Sequence, residues 1–171
     1  MTNDASHPFQ IAVCPTTGWA EPVIEWATKG KYTHSYLVLA DRTYSMEPDG
    51  LVEREFGFWG ENSAYSNFET TADEQRAIVK YITDHAHLEY DYIGDEIVGL
   101  DDVTPRFMDP FWHVIEHFED KMRPDHAFCS AFSDATFTSA GIKVFDDGRP
   151  SRAVTPMDLW RMFKAQGWVT A

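Results

Sequence analysis

Two cysteines, Cys14 and Cys129, are the residues of this sequence best suited to nucleophilic chemistry. Cys129 follows Pro124-Asp125-His126 at the expected start of a helix, where unpaired backbone amides lower the pKa of a thiol and can bind an oxyanion. The thiolate is the reactive form, so such a position favours nucleophilic catalysis. Cys129 also lies between Phe128 and Ser130 in an apolar segment, which is typical of a buried, inert thiol. Local sequence alone leaves both interpretations open.

A cysteine nucleophile needs a general base, and His34 is the best placed of the seven histidines. It lies inside residues 32–40, the strongest predicted strand, whose rigid backbone would fix the imidazole. A third polar group normally orients such a base and sets its tautomer. Glu47 lies 13 residues later on the predicted neighbouring strand, which would place it beside His34. The simpler alternatives are a half-buried histidine satisfied by hydrogen bonds and a solvated carboxylate at a turn.

The segment His113-Val114-Ile115-Glu116-His117 offers a competing chemistry. On a helix it puts two histidines on one face with a carboxylate beside them, as in an inverted zincin. A zinc site there needs a further ligand from a distant helix, and the sequence does not rank the candidates Asp134 and Asp158. Because such a match arises easily by chance, a solvated helix face is the simpler interpretation. We therefore expect no metal and no other cofactor.

Composition narrows the function classes. The 171 residues suit a single domain over residues 1–171, and 43% hydrophobic with 15% aromatic residues favours a packed core over disorder. A formal net charge of −14 opposes a phosphate-binding surface, so we expect no nucleic-acid partner. No apolar run is long enough for a membrane span and no signal peptide is visible, so we expect a cytoplasmic location. The pattern leaves the oligomeric state open.

Short strands early in the chain, with helices around them, predict an α+β domain. Capping-box spacing in Thr71-Ala72-Asp73-Glu74 predicts a helix to about residue 87, and Thr155-Pro156 predicts another to about residue 166. Asp41-Arg42 predicts a turn after the strand that carries His34. The other predicted elements are strands at residues 9–14, 43–47, 51–58 and 142–145, and helices at residues 22–28, 109–122 and 127–139.

Five short segments between about residues 20 and 160 carry a family resemblance through their order. They are Tyr32-Thr33-His34-Ser35-Tyr36-Leu37-Val38-Leu39, Tyr44-Ser45-Met46-Glu47-Pro48-Asp49-Gly50, Tyr90-Asp91-Tyr92, Phe128-Cys129-Ser130-Ala131-Phe132 and Thr155-Pro156-Met157-Asp158-Leu159. In this order they resemble the circularly permuted branch of the NlpC-type papain-like superfamily, which includes YiiX-like proteins and the lecithin:retinol acyltransferase group. The resemblance implies a small antiparallel sheet packed against helices, in which the histidine strand precedes the cysteine helix.

The resemblance also implies a cysteine-dependent peptidase, amidase or acyltransferase that works through an acyl-enzyme. It makes Cys129 the nucleophile, His34 the general base and Glu47 the residue that orients the base. The substrate would be a small molecule, a peptide or a lipid ester. The residues that we further assign to oxyanion or substrate binding are Tyr32, Tyr92 and Ser130.

Two departures from the family pattern concern the substrate. Ala131 follows the Cys-Ser pair where the family often has glutamate or histidine, and residues 101–125 have no counterpart in the pattern. Both leave the nucleophile and base in place but open the substrate subclass. A catalytically inactive binding module on the same fold is the third hypothesis, beside the thiol enzyme and the zinc enzyme.

Overall fold

A small antiparallel sheet of five strands organises the chain. The computed structural model describes residues 8–15, 30–47, 49–90 and 126–169. The strands of this sheet are β1 (Gln10–Cys14), β2 (His34–Leu39), β3 (Arg42–Glu47), β4 (Gly50–Glu55) and β5 (Ala64–Tyr65). Their order is β4-β3-β2-β1-β5, so β2 is the central strand. A short parallel pair, β6 (Glu89–Tyr90) with β7 (His126–Ala127), contacts β3 and β4 through β6.

The sheet is apolar on both faces because side chains alternate along each strand. The first face joins the main core of the protein through Ile11, Val13, Leu37, Leu39 and Met46. The second face carries a smaller cluster that consists of Ala12, Cys14, Tyr36 and Val38, covered by Phe56, Trp59 and Tyr65. Burial on both faces explains why β2 is a nearly continuous apolar run and not an alternating one.

Helices cover the first face of the sheet. Among the described residues they are α1 (Ala72–Asp84), α2 (Cys129–Ser139) and α3 (Pro156–Ala165), with a 3-10 turn at Ser151–Ala153. Helix α2 contacts β2 and β3 and is buried over most of its length, which accounts for its small and apolar composition. None of the helices in these ranges is long and apolar enough to cross a membrane. The fold is therefore α+β, as the sequence predicts.

Capping boxes begin α1 and α3, as the spacing of their residues predicts. The Thr155 hydroxyl accepts a hydrogen bond from the Asp158 amide at 3.0 Å, and the Thr155 amide donates to the Asp158 carboxylate at 3.1 Å. Thr71 and Glu74 make the same pair of contacts at the start of α1. Each box satisfies backbone amides that have no partner inside the helix.

Replacing Thr155 by alanine is expected to lower the free energy of unfolding by about 1–2 kcal/mol, since it removes a buried helix cap. Thr155→Ser keeps the hydroxyl and is the matched control, with a loss below about 0.5 kcal/mol. Urea unfolding monitored by circular dichroism measures both. Equal losses in the two variants would show that the methyl group of Thr155, and not its hydroxyl, matters.

The prediction of a strand at residues 142–145 is wrong. Gly141 has a φ of 85° and ends α2, and the Ile142 amide then donates to the Phe137 carbonyl at 3.1 Å. Because that amide caps the helix, the segment enters the core without joining a ladder, and Val144 is buried there. The apolar residues of this segment reflect its packing in the core, which the sequence pattern does not distinguish from a strand.

Two further predictions concern element ends and coverage. The strand predicted at residues 51–58 ends at Glu55, because Phe56–Trp59 form a turn in which Gly57 has a φ of 92°. The helices predicted at residues 22–28 and 109–122 lie outside the described residues. The helix predicted at residues 127–139 is confirmed but begins at Cys129.

Candidate functional site

Cys129 is the first residue of α2, the position that its sequence context predicts. The N-cap residue, Phe128, makes no side-chain hydrogen bond to the backbone amides of the first turn. Cys129 is a reduced thiol and only 3% exposed. The positive field of a helix terminus favours the thiolate form of a thiol at this position, whereas burial opposes it.

A chain of hydroxyl groups connects this helix start to the central strand. The Ser133 hydroxyl donates to the Cys129 carbonyl at 2.9 Å. Its oxygen lies 3.2 Å from the Ser35 hydroxyl, which can therefore donate to it. Ser35 is the neighbour of His34 in β2, so a buried contact between positions 98 residues apart holds the Cys129 backbone close to the start of the strand that carries His34.

His34 is the first residue of β2 and is 8% exposed. Its Nε2 lies 2.7 Å from the Ser45 hydroxyl of β3, and its ring lies 4.3 Å from the Trp59 ring. Burial lowers the pKa of His34 from 6.5 to about 4, because desolvation penalises the imidazolium. The imidazole is therefore neutral at pH 7, the form that can accept a proton.

The direction of the imidazole restricts how it can meet a thiol. Ser35 faces α2, so His34 projects from the other face of the sheet, where it contacts Trp59. The thiol directly across the ladder on that face belongs to Cys14, which pairs with His34 in the β1–β2 register. Cys14 is fully buried, and burial raises its pKa to about 12, so it stays protonated. Because the helix that carries Cys129 packs on the opposite face, a contact between His34 and Cys129 would have to form around the end of the sheet at which β2 begins.

Glu47, the predicted orienting residue, lies at the end of β3. Its Oε2 is 3.4 Å from the Arg54 guanidinium, and within the described ranges its buried Oε1 has no hydrogen-bond partner. Burial is the main influence on this carboxyl and raises its pKa, which Arg54 partly offsets. The hydroxyl that contacts the His34 ring belongs to Ser45, so the role assigned to Glu47 stays a prediction.

Two of the three residues predicted to bind substrate or oxyanion, Ser130 and Tyr32, have other contacts. The Ser130 hydroxyl is buried and donates to the Val154 carbonyl at 2.6 Å, which anchors the first turn of α2. Tyr32 is buried and its ring stacks on Trp160 at 5.5 Å. A role for Ser130 in binding an oxyanion would have to come from its backbone amide. Tyr92 lies outside the described residues.

The zinc hypothesis concerns residues 113–117, which lie outside the described ranges. Within those ranges no group of three or more His, Cys, Asp or Glu side chains is close enough to hold a metal ion. Asp134, one of the suggested extra ligands, is buried and hydrogen-bonds with the Ser151 side chain. Asp158, the other, belongs to the cap of α3 and pairs with Arg149 and Arg161.

Sequence reasoning gave no role at the site to Ser45 or Trp59. Ser45 lies two positions before Glu47, so strand alternation places both on the face that carries His34. This alternation is visible in the sequence, but a carboxylate is a more usual partner of a catalytic histidine than a serine hydroxyl is. Trp59 lies 25 residues from His34 in a turn, and no local pattern connects the two.

Comparisons with protein-family models, with curated proteins and with solved structures find no match for this chain. Its function must therefore be argued from its own residues.

Proposed function

We propose that this chain is a cysteine-dependent hydrolase or acyltransferase with a papain-like fold in permuted order. Cys129 is the nucleophile, His34 is the general base, and the substrate is an amide or ester of a small molecule, a peptide or a lipid. The observation that carries the proposal is the buried hydroxyl chain from Ser35 through Ser133 to the Cys129 carbonyl. It joins the start of the cysteine helix to the start of the histidine strand.

The reaction proceeds in two steps. The Cys129 thiol gives its proton to His34 and attacks the substrate carbonyl, and His34 returns that proton to the amine or alcohol that leaves. Water or another acceptor then attacks the thioester, with His34 again taking and returning a proton. Backbone amides at the start of α2 are the donors for the oxyanion of each tetrahedral intermediate. The Trp59 ring beside His34 limits access of water to the imidazole.

The resting charges follow from burial. His34 alone is neutral because its pKa is about 4, but a thiolate nearby would raise that value, since opposite charges favour the imidazolium. The proposal requires the imidazole to reach the Cys129 sulfur at the end of β2. A sulfur to nitrogen separation beyond about 8 Å in an experimental structure would remove the pair.

Alkylation of the native protein by iodoacetamide tests the nucleophile, and Cys14 is an internal control. Cys129 is expected to react at least about tenfold faster than Cys14 at pH 7: both thiols are buried, but only Cys129 lies at a helix terminus, which favours the thiolate. Peptide mass spectrometry separates the two sites. His34→Gln should slow labelling of Cys129 about tenfold if the imidazole takes its proton.

Turnover is tested with a panel of fluorogenic amides and esters. Cys129→Ala should abolish hydrolysis, whereas Cys14→Ala should keep it, because Cys14 has no part in the reaction. If Cys129 reacts with iodoacetamide only when the protein unfolds, and no amide or ester of the panel is hydrolysed, the proposal is wrong and an inactive binding module is the hypothesis that is left.

A further inference from the structure

Ser45 is the polar residue in direct contact with the proposed base. It lies in β3, is 2% exposed, and its hydroxyl is 2.7 Å from the His34 Nε2. Two backbone carbonyls also lie within reach of the same hydroxyl, those of Ser35 at 3.3 Å and of Met46 at 3.4 Å. A serine hydroxyl has one proton and two lone pairs, so it can donate to only one of these three groups.

The two carbonyls restrict how this proton is shared, because a carbonyl can only accept. When the Ser45 proton goes to a carbonyl, the Ser45 oxygen is left as an acceptor facing Nε2. The imidazole must then carry its proton on Nε2 and donate it, which pairs the Nε2 proton, the Ser45 proton and the Ser45 oxygen. If the imidazole proton were on Nδ1 instead, Ser45 would donate to Nε2 and to neither carbonyl.

We infer that Ser45 is a positioning residue that holds His34 in the tautomer protonated at Nε2. This leaves the Nδ1 lone pair as the basic site of the imidazole. The consequence for catalysis rests on the proposed function: Nδ1 is the nitrogen that takes the Cys129 proton. Ser45 fills the orienting role that the sequence pattern assigns to Glu47.

Two neighbours support this assignment. The Glu47 Oε2 lies 3.4 Å from the Arg54 guanidinium, so this oxygen is paired with Arg54 and not with His34. The Trp59 ring lies 4.3 Å from the imidazole at an interplanar angle of 39°, and this contact opposes a flip of the ring away from Ser45. The imidazole is therefore held by one hydrogen bond at its far nitrogen and by one aromatic face.

The tautomer can be measured directly by NMR. In protein labelled with ¹⁵N in its histidines, long-range ¹H–¹⁵N spectra at pH 7 distinguish a ring protonated at Nε2 from one protonated at Nδ1. The His34 signals are assigned from the spectrum of His34→Gln. We expect the Nε2-protonated pattern in the wild-type protein, which needs no variant to fold. An Nδ1-protonated pattern overturns the inference.

Two variants at position 45 test the cause. Ser45→Ala should convert the His34 signals to a mixture of tautomers, and Ser45→Thr, which keeps the hydroxyl, should retain the wild-type pattern. An unchanged pattern in Ser45→Ala overturns the inference. Ser45→Ala should also slow Cys129 alkylation about tenfold, the effect of one lost hydrogen bond, and Ser45→Thr should restore the rate.

The two readouts separate the inference from the proposed function. An inert Cys129 together with a tautomer that depends on Ser45 removes the enzyme and keeps the positioning role. A reactive Cys129 with a tautomer that does not depend on Ser45 removes the positioning role and keeps the enzyme.

Discussion

Lowering the pH from 7 to 4 is expected to reduce the free energy of unfolding by up to about 3 kcal/mol through His34 alone. Burial lowers the pKa of this imidazole from 6.5 to about 4 in the folded protein. Between these values the unfolded chain binds a proton that the folded protein does not. The contribution of His34 to the free energy of unfolding is therefore fully present above pH 6.5 and decreases as the pH falls toward 4. Below pH 4 this group causes little further loss.

The two other titratable groups discussed near His34 do not add to this decrease. Cys14, across the ladder, stays protonated throughout this range because burial raises its pKa to about 12. Glu47, on the same face, has a raised pKa, so protonation of this carboxyl at low pH favours the folded protein. The His34 contribution must therefore be isolated by comparing variants and not by reading the profile of the wild-type protein alone.

His34→Gln isolates the effect, with His87→Gln as its matched control. His87 is exposed, so His87→Gln controls for the loss of a histidine at a surface position. The free energy of unfolding is measured from urea titrations at pH 7, 5.5 and 4. His34→Gln should lose most of the decrease between pH 6.5 and 4, whatever its stability at pH 7. The same pH slope in His34→Gln and in the wild-type protein would contradict burial as the cause.

Phe132→Ala is expected to destabilise the fold by about 3–5 kcal/mol. Phe132 is 1% exposed in the main core, and its ring centroid lies 6.0 Å from that of Tyr81 in α1. It lies in α2 next to Ser133, so its loss leaves a cavity under the helix that carries Cys129. Since small domains are stable by only about 5–15 kcal/mol, this variant could lose much of its stability.

The control for Phe132 is another phenylalanine of opposite exposure. Phe58 is 60% exposed in the turn after β4, and Phe58→Ala should cost below about 1 kcal/mol. Thermal unfolding and urea unfolding give both values. A loss for Phe132→Ala no greater than that for Phe58→Ala would mean that α2 does not depend on this contact.

Local signals of the sequence were sufficient for most elements near the candidate site. The capping boxes at Thr71 and Thr155 predict both helix starts because the contacts that form a cap lie within one turn. The apolar, branched and aromatic residues around His34 predict the central strand. Cys129 begins its helix as expected. The helix predicted at residues 127–139 began two residues too early, because Ala127 belongs to β7 and Phe128 is the N-cap residue.

Local signals failed where a segment's partner is distant in the sequence. Residues 142–145 have the composition of a strand, yet the Ile142 amide caps α2 and the segment pairs with no strand among the described residues. The place of Glu47 on the neighbouring strand and the family resemblance assign this residue to His34, and a carboxylate is a strong partner for an imidazolium. The buried imidazole is neutral, however, and a hydroxyl that also reaches two carbonyls suits it well.

The sequence by itself determined the α+β class, the helix starts, the central strand and the chemical identity of the two thiols. Those properties depend on propensity, capping and alternation, which act over a few residues. Only the tertiary structure decided that Ser45 contacts His34, that Cys14 lies across from it, and that Ser35 connects to the Cys129 helix. These contacts depend on strand register and on which face packs against α2, and both are set by burial of the whole core.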